Sequence, residues 1–205
     1  MVEGIEGSGK STLLSNLAPL LRARGMDVLV TREPGGTALG NRLRAAFVDP
    51  ETAIDPVAEA FVVNASRAQH VSEVIRPALA AGRVVLCDRF SAATLAYQGY
   101  GRGVDLDILR TLAHLATRGL EPDLTILVDV GVSTSRERVA ERSRASGVAA
   151  DRLEREGTAF HERVRAGYRD LAAADPLRWL VLDGTLSPAS LAAAASDAVV
   201  ARCVH

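Results

Sequence analysis

The stretch that decides the fold lies near the start: Gly4-Ile5-Glu6-Gly7-Ser8-Gly9-Lys10-Ser11. Its spacing, G-x-x-x-x-G-K-[ST], is that of a phosphate-binding loop. Glycines let successive backbone N–H groups turn inward around phosphate oxygens. The helix that follows points its positive end at the same oxygens. Lys10 adds a charge toward the β- and γ-phosphates, and the Ser11 hydroxyl is placed to ligate Mg²⁺. The expected ATP-binding residues are therefore Glu6, Gly7, Ser8, Gly9, Lys10, Ser11 and Thr12. Lys10 is the only lysine in the chain. With no second lysine the guanine-reading N-K-x-D motif is missing, which favours ATP over GTP.

Outward from the loop, short apolar runs alternate with helical patterns. The runs 27–31, 83–87, 124–128 and 179–182 read as strands covered on both faces. Helices are expected near 10–24, 38–48, 57–81, 91–98, 105–118, 133–143, 152–174 and 187–202. The alternation predicts an α/β fold with parallel strands crossed by helices. Gly25 reads as a helix stop. Pro77 is expected to kink or end the third helix, and 143–150 to form an exposed loop. Only Met1-Val2-Glu3 precede the phosphate loop, against about 5–6 residues in an ordinary strand. Either the start lies upstream or the fold tolerates a short strand.

With 205 residues, one domain spanning 1–205 is expected. Apolar residues make up 48% and charged residues 24%, which excludes a disordered chain. The net charge of −1 gives no support for a nucleic-acid partner. The start shows no basic, apolar leader, and no uncharged run approaches the roughly 18 residues of a membrane span. Cys87 and Cys203 form neither a disulfide framework nor a metal cluster. A cytoplasmic protein without a membrane partner is expected, with Cys87 a small buried residue.

Candidate second-substrate residues follow the strands. Asp88-Arg89 ends the 83–87 run, and ligands of α/β sheets bind at the carboxyl ends of strands. Asp88 is placed to hold Mg²⁺ and Arg89 to fork a phosphate, although an Asp-Arg pair alone reads as a surface salt bridge. Tyr97 and Gln98 suit a sugar or base. Arg32-Glu33-Pro34-Gly35-Gly36 forms a rigid turn after the second strand. Arg67, inside a helical pattern, reads either as a snorkelling surface arginine or as a base-edge hydrogen bonder. Arg136, Arg138, Arg142, Arg144, Arg152 and Arg155 crowd two helix ends. They read as a solvated basic face or as a lid, about 142–154, that closes on the transferring phosphoryl group.

Taken together these residues resemble bacterial thymidylate kinases. The resemblance runs through Glu3 to Thr12, Thr31 to Thr37, Ser66-Arg67-Ala68-Gln69-His70-Val71, Asp88-Arg89-Phe90, Ala96-Tyr97-Gln98-Gly99, Pro122-Asp123-Leu124 and Asp151-Arg152-Leu153-Glu154, in the family's order and over nearly the whole chain. It implies the three-layer P-loop NTPase fold, with a five-stranded parallel sheet, helices on both faces and a short lid. It implies transfer of a phosphoryl group from MgATP to dTMP, and a homodimer built by helix packing. By matched position Arg89 holds the acceptor phosphate, Arg67 hydrogen-bonds the thymine edge, Tyr97 packs on the deoxyribose, and Thr94 and Gln98 line the base and sugar pocket. Arg32, Glu33, Pro34 and Val63 complete the substrate set. Glu6 takes the loop carboxylate position, and Arg142, Arg144 and Arg152 the lid positions serving the phosphoryl group. The metal pair is Ser11 and Asp88.

Three departures stand out. The first strand is a stub. Val63 replaces an aromatic that stacks on thymine, a loss of around 1 kcal/mol of base binding; Phe61, two residues earlier, faces elsewhere on a helix. Ala93 stands where the family often has Ser. Kinases for another pyrimidine nucleoside monophosphate, and a noncatalytic ATP-binding switch, are the alternative readings.

Overall fold

The computed structural model describes residues 1–147 and 150–203. Five parallel strands form one sheet: β1 (Val2–Glu3), β2 (Val28–Arg32), β3 (Val84–Asp88), β4 (Thr125–Asp129) and β5 (Trp179–Asp183), in the order β2-β3-β1-β4-β5. The chain leaves β1 toward one edge and later crosses β1 toward the other. The crevice beyond the carboxyl ends of β1, β3 and β4 is where such a sheet holds ligands.

The stub strand is the centre of this sheet. Val2 lies opposite both Asp88 and Ile126, and Glu3 opposite Leu127. The amide of Arg89 donates to Val2 O (2.9 Å), and that of Ile126 to Met1 O (2.8 Å). Neighbours on both sides pair with its backbone.

Alternate residues of the strands feed two cores, as the period of two requires. Ile126 and Val128 pack with α1 (Lys10–Ala23) and α9 (Pro188–Cys203). Leu127 packs on the opposite face, with Val63 and Val164. That face carries α2 (Ala38–Val48), α3 (Pro56–His70), α5 (Ser91–Thr94) and α8 (Thr158–Ala174). Outside them lies α6 (Leu106–Thr117), packed on α3. Asp55 caps α3 by accepting from the amides of Val57 and Ala58.

Three expected boundaries are corrected. The helix placed over 57–81 is three segments: α3, then a π-helical segment, Val71–Ile75, then α4 (Arg76–Ala80), which carries Pro77 in its first turn. α7 (Val132–Ser146) runs past residue 143 until Gly147, at φ 66°, ends it; residues 148 and 149 of the expected loop lie outside the described residues. The helix expected from 152 begins at Thr158. Before it, Asp151 and Glu154 close a single turn reciprocally, each side chain accepting the other's amide, and Gly157 opens α8. Another π-helical segment, Leu95–Gly101, prolongs α5. Cys87 is fully buried, and burial pushes its thiol well up.

Candidate active site

The phosphate loop leaves β1 and ends at α1. Gly4, Gly7 and Gly9 take φ of 141°, 69° and 105°. At Gly7 a side chain is also excluded by space, since a Cβ would stand 2.4 Å from Ser135 O. Ser135, on α7, donates its hydroxyl to Glu6 O (2.6 Å) and so fastens the loop to the far side of the sheet. Lys10 is buried and folds back over the loop, donating to Gly4 O (3.1 Å) and Ile5 O (2.9 Å). Burial, with Arg89 nearby, lowers its ammonium from the ordinary lysine value to about 8 against the opposing pull of Asp88, Glu6 and Glu3.

Ser11 donates to Asp88 Oδ2 across 3.1 Å. Asp88 Oδ1 is buried without a partner. An exposed hydroxyl beside an orphaned carboxylate oxygen suits a hard divalent cation, which takes oxygen ligands. These residues fit Mg²⁺.

Arg89 joins the loop to the rest of the site. It follows β3 at φ 69°, and that left-handed turn carries its side chain back under the loop. Nη1 donates to Gly4 O and to the Tyr168 hydroxyl, both at 3.1 Å, and Nη2 to Glu6 Oε1 (2.6 Å) and the Tyr97 hydroxyl (3.2 Å). Tyr97 donates in turn to Glu6 Oε2 (2.5 Å), and Tyr168 to Glu3 Oε2 (2.8 Å). Burial alone would raise the Glu6 carboxyl, but Arg89 and Lys10 outweigh it and hold it below its ordinary value. For Glu3 burial prevails and the pKa is raised. The two neighbouring carboxylates thus shift in opposite directions.

Beyond Arg89 opens a cleft. Glu33, Pro34, Val63, Arg67, Thr94, Tyr97 and Gln98 line it together with Glu6 and Arg89. Arg67 is no snorkelling residue: it is 2% exposed. Nε donates to Glu33 Oε2 (2.7 Å), Nη1 to Asn64 Oδ1 (2.9 Å) and Thr94 Oγ1 (3.0 Å), and Nη2 to Phe90 O (2.8 Å). Glu33 Oε1 is braced by His70 Nδ1 at 2.9 Å. The peptide bond between Glu33 and Pro34 is cis. Phe61 points away from the cleft and is 57% exposed.

Not every expected residue comes here. Arg32 is exposed and lines an outer groove with Ser11 and Asp88. Thr12 is exposed on α1. Arg142 pairs with Glu154, and Arg144 bonds only weakly to Ala140 O (3.4 Å) in its own helix. Arg152 turns away from the loop, onto Glu59 and Phe47 O. Of the crowded arginines it is Arg138 that contacts the phosphate loop among the described residues, at Ser8 O (3.4 Å), while it also donates to Gly184 O just after β5 (3.1 Å). Sequence reasoning missed Tyr168, Ser135, Glu59 and Phe47. Only Phe47 carried a usable signal, an aromatic at the end of an otherwise small-residue helix.

The sequence matches the family described as Thymidylate kinase over residues 2–194. It is 56% identical to a thymidylate kinase of Desulfovibrio desulfuricans over 189 residues, 91% of this chain and 87% of the relative. It is 50% identical to one of Trichlorobacter lovleyi over 202 residues, 98% and 95%. A crystal structure of thymidylate kinase from Ehrlichia chaffeensis superposes with a TM-score of 0.76 at 30% identity, covering 97% of this chain and 96% of the other. With the loop, Arg89 and the cleft in place, and with the likeness running the length of the chain, this protein belongs to the thymidylate kinase family of nucleoside monophosphate kinases.

Proposed function

We propose that the chain phosphorylates dTMP to dTDP with MgATP as donor, a step toward dTTP, using residues 1–205 as one kinase domain with a lid at about 142–154. The observation that carries this reading is Arg89, which touches Gly4 O of the phosphate loop and lines the cleft beside it. One guanidinium spans the donor and acceptor sides.

The acceptor oxygen belongs to a phosphate whose second pKa is about 6, so it is already anionic at neutral pH and needs no general base. Positioning and charge neutralisation supply the catalysis. The loop amides and Lys10 hold the donor's β- and γ-phosphates. Arg89 exchanges its Glu6 contact for the acceptor phosphate and aligns one of its oxygens with the γ-phosphorus. The new P–O bond forms as the bond to the β-phosphate oxygen breaks, and ADP leaves. Ser11 and Asp88 would hold Mg²⁺, which would supply charge neutralisation for the donor phosphates. Among the arginines of the two crowded helix ends Arg138 touches the loop, at Ser8 O, with Arg142, Arg144 and Arg152 serving the lid.

At the base end Arg67 has four N–H groups engaged and a fifth left to donate. A donor there suits a C4 carbonyl, as in thymine, and opposes the C4 amino group of cytosine. Val63, Phe47 and Leu153 supply apolar wall for a 5-methyl group. Tyr97 packs on the sugar.

Partner and place follow from the same reading. Val57 and Phe61 on α3, and Ile108 and Leu115 on α6, are exposed apolar residues on two packed helices, a face suited to a second copy. Among the described residues no helix is long and apolar enough to cross a membrane. We place the enzyme in the cytoplasm, where its buried thiol stays reduced.

The test is ADP release with MgATP and dTMP, dUMP, UMP or dCMP. Turnover preferring dTMP, with dCMP poorest, is the expected result. Preference for another monophosphate would move the base reading and make Val63 its signature. Turnover with none would leave a nucleotide-binding switch.

A further inference from the structure

We propose that Glu59 is a positioning residue that ties the turn at residues 151–156 to base reading in the acceptor cleft. The inference rests on the reading of that cleft as the dTMP site.

Glu59 lies in the first turn of α3 and is wholly buried. A buried carboxylate is unfavourable unless its charge is paired and its lone pairs are filled, and here they are filled from three directions. Oε1 accepts from Arg102 Nε (3.1 Å) and from Arg152 Nη1, while Oε2 accepts from Gln98 Nε2 (2.9 Å).

Two consequences follow. Two guanidinium groups donate to Oε1, and Gln98 turns its NH₂ toward Oε2, which accepts from it. The amide orientation is thereby fixed, and the Gln98 carbonyl oxygen remains for the cleft it lines. An acceptor there complements the N3–H of thymine or uracil and opposes N3 of cytosine, which has no hydrogen.

The second consequence concerns closure. Arg152 belongs to the turn of residues 151–154, and its amide and Nε donate to Val48 O (3.1 Å) and Phe47 O (3.0 Å). Its guanidinium lies 5.1 Å over the Phe47 ring. Arg102, the other partner of Glu59, pairs with Glu156 at 2.5 Å. Both ends of 151–156 are therefore fastened to the body through groups that meet at one carboxylate. Asp151 and Leu153, between them, line the cleft. Loss of the Glu59 charge would free the Gln98 amide to flip and the turn to open together.

The experiment compares wild type with Glu59→Gln, Arg152→Gln and the double variant. For Glu59→Gln we expect the KM for dTMP to rise about tenfold and that for ATP to change less than twofold. The dTMP over dCMP ratio of kcat/KM should fall about tenfold. Trypsin should cleave the nucleotide-free protein several-fold faster after Arg142, Arg144, Arg152 or Arg155. The double variant should cut little faster than Glu59→Gln, because the two residues act as one unit. A folded Glu59→Gln protein with unchanged base ratio and unchanged cleavage overturns the proposal. So does a lowered Tm with both KM values raised alike, the mark of a purely structural role. If Glu59→Gln fails to fold, Arg152→Gln decides: faster trypsin cleavage with a raised dTMP KM supports the clasp, and neither change overturns it. Wild type inactive on dTMP but cleaved slower than Glu59→Gln would sink the cleft reading and leave the clasp.

Discussion

Arg89 holds a backbone conformation that a bulky residue adopts at a cost of about 1–3 kcal/mol; its φ is 69°. The surroundings over-determine it, with four side-chain bonds onto Gly4, Glu6, Tyr97 and Tyr168. Arg89→Ala removes the one group shared by the loop and the cleft. We expect kcat with dTMP to fall about 10³-fold, the scale for loss of a transition-state donor, while calorimetry finds ATP binding within a few-fold of wild type. Unchanged turnover would take Arg89 out of the site. Lys10 gives a pH prediction. Its pKa of about 8 without nucleotide must rise when phosphates surround it, since nearby negative charge favours the ammonium. The free protein therefore binds fewer protons than the complex above pH 8. ATP affinity is full below that value and falls toward tenfold per pH unit as pH rises through 8 to the complexed pKa. ATP titrations between pH 7.5 and 9.5 should show that fall, with proton uptake, and Lys10→Met should flatten it. At this scale the sequence was legible where the chemistry is consecutive. Lys10, Ser11 and Glu6 sit within one motif of eight residues. The state of Arg67 was not, because its partner Glu33 is 34 positions away and nothing local distinguishes a buried guanidinium from a snorkelling one.

Elements show the same division. The phosphate loop is one motif, yet its rigidity is borrowed from α7. Ser135 donates to Glu6 O from 129 positions away, and a Cβ at Gly7 would strike the carbonyl of Ser135. Ser135→Ala should lower unfolding free energy in urea by about 1 kcal/mol, the worth of one hydrogen bond left half-made, and weaken ATP binding several-fold. A variant as stable as wild type with unaltered ATP affinity would show that the loop stands alone. Strands and most helices were readable from periodicity, since a parallel sheet covered on both faces leaves continuous apolar runs. The errors fall where a local rule was overridden. Pro77 is expected to kink or end its helix; a π-helical segment precedes it and α4 ends at Ala80. The arginines at 152 and 155 continued a helical pattern, but Gly157 and the reciprocal Asp151–Glu154 bonds end that turn early. Turn closure depends on which of two competing backbone partners a side chain finds, and composition does not record the choice.

At the scale of the molecule the unsatisfied feature is the α3–α6 face, where Phe61 is 57% and Leu115 66% exposed. Exposed apolar residues clustered on neighbouring helices mark an interaction surface, and a two-fold contact would bury the same patch on both copies. Phe61→Glu with Leu115→Glu should shift sedimentation from dimer to monomer, since each copy would bring like charges to the centre of the contact. A wild-type monomer at micromolar concentration would overturn the assignment of this face. By itself, the sequence determined the α/β class, the phosphate loop, the strands and the polar residues at their carboxyl ends, because each of these is written in neighbouring residues or in a short period. Tertiary structure alone decided that the first strand sits at the centre of the sheet and that Arg138 rather than Arg152 faces the loop. It also decided that Glu59 gathers Gln98, Arg102 and Arg152. Those outcomes depend on which distant groups exclude water from one another, and burial and charge pairing across the fold are set only when the layers close.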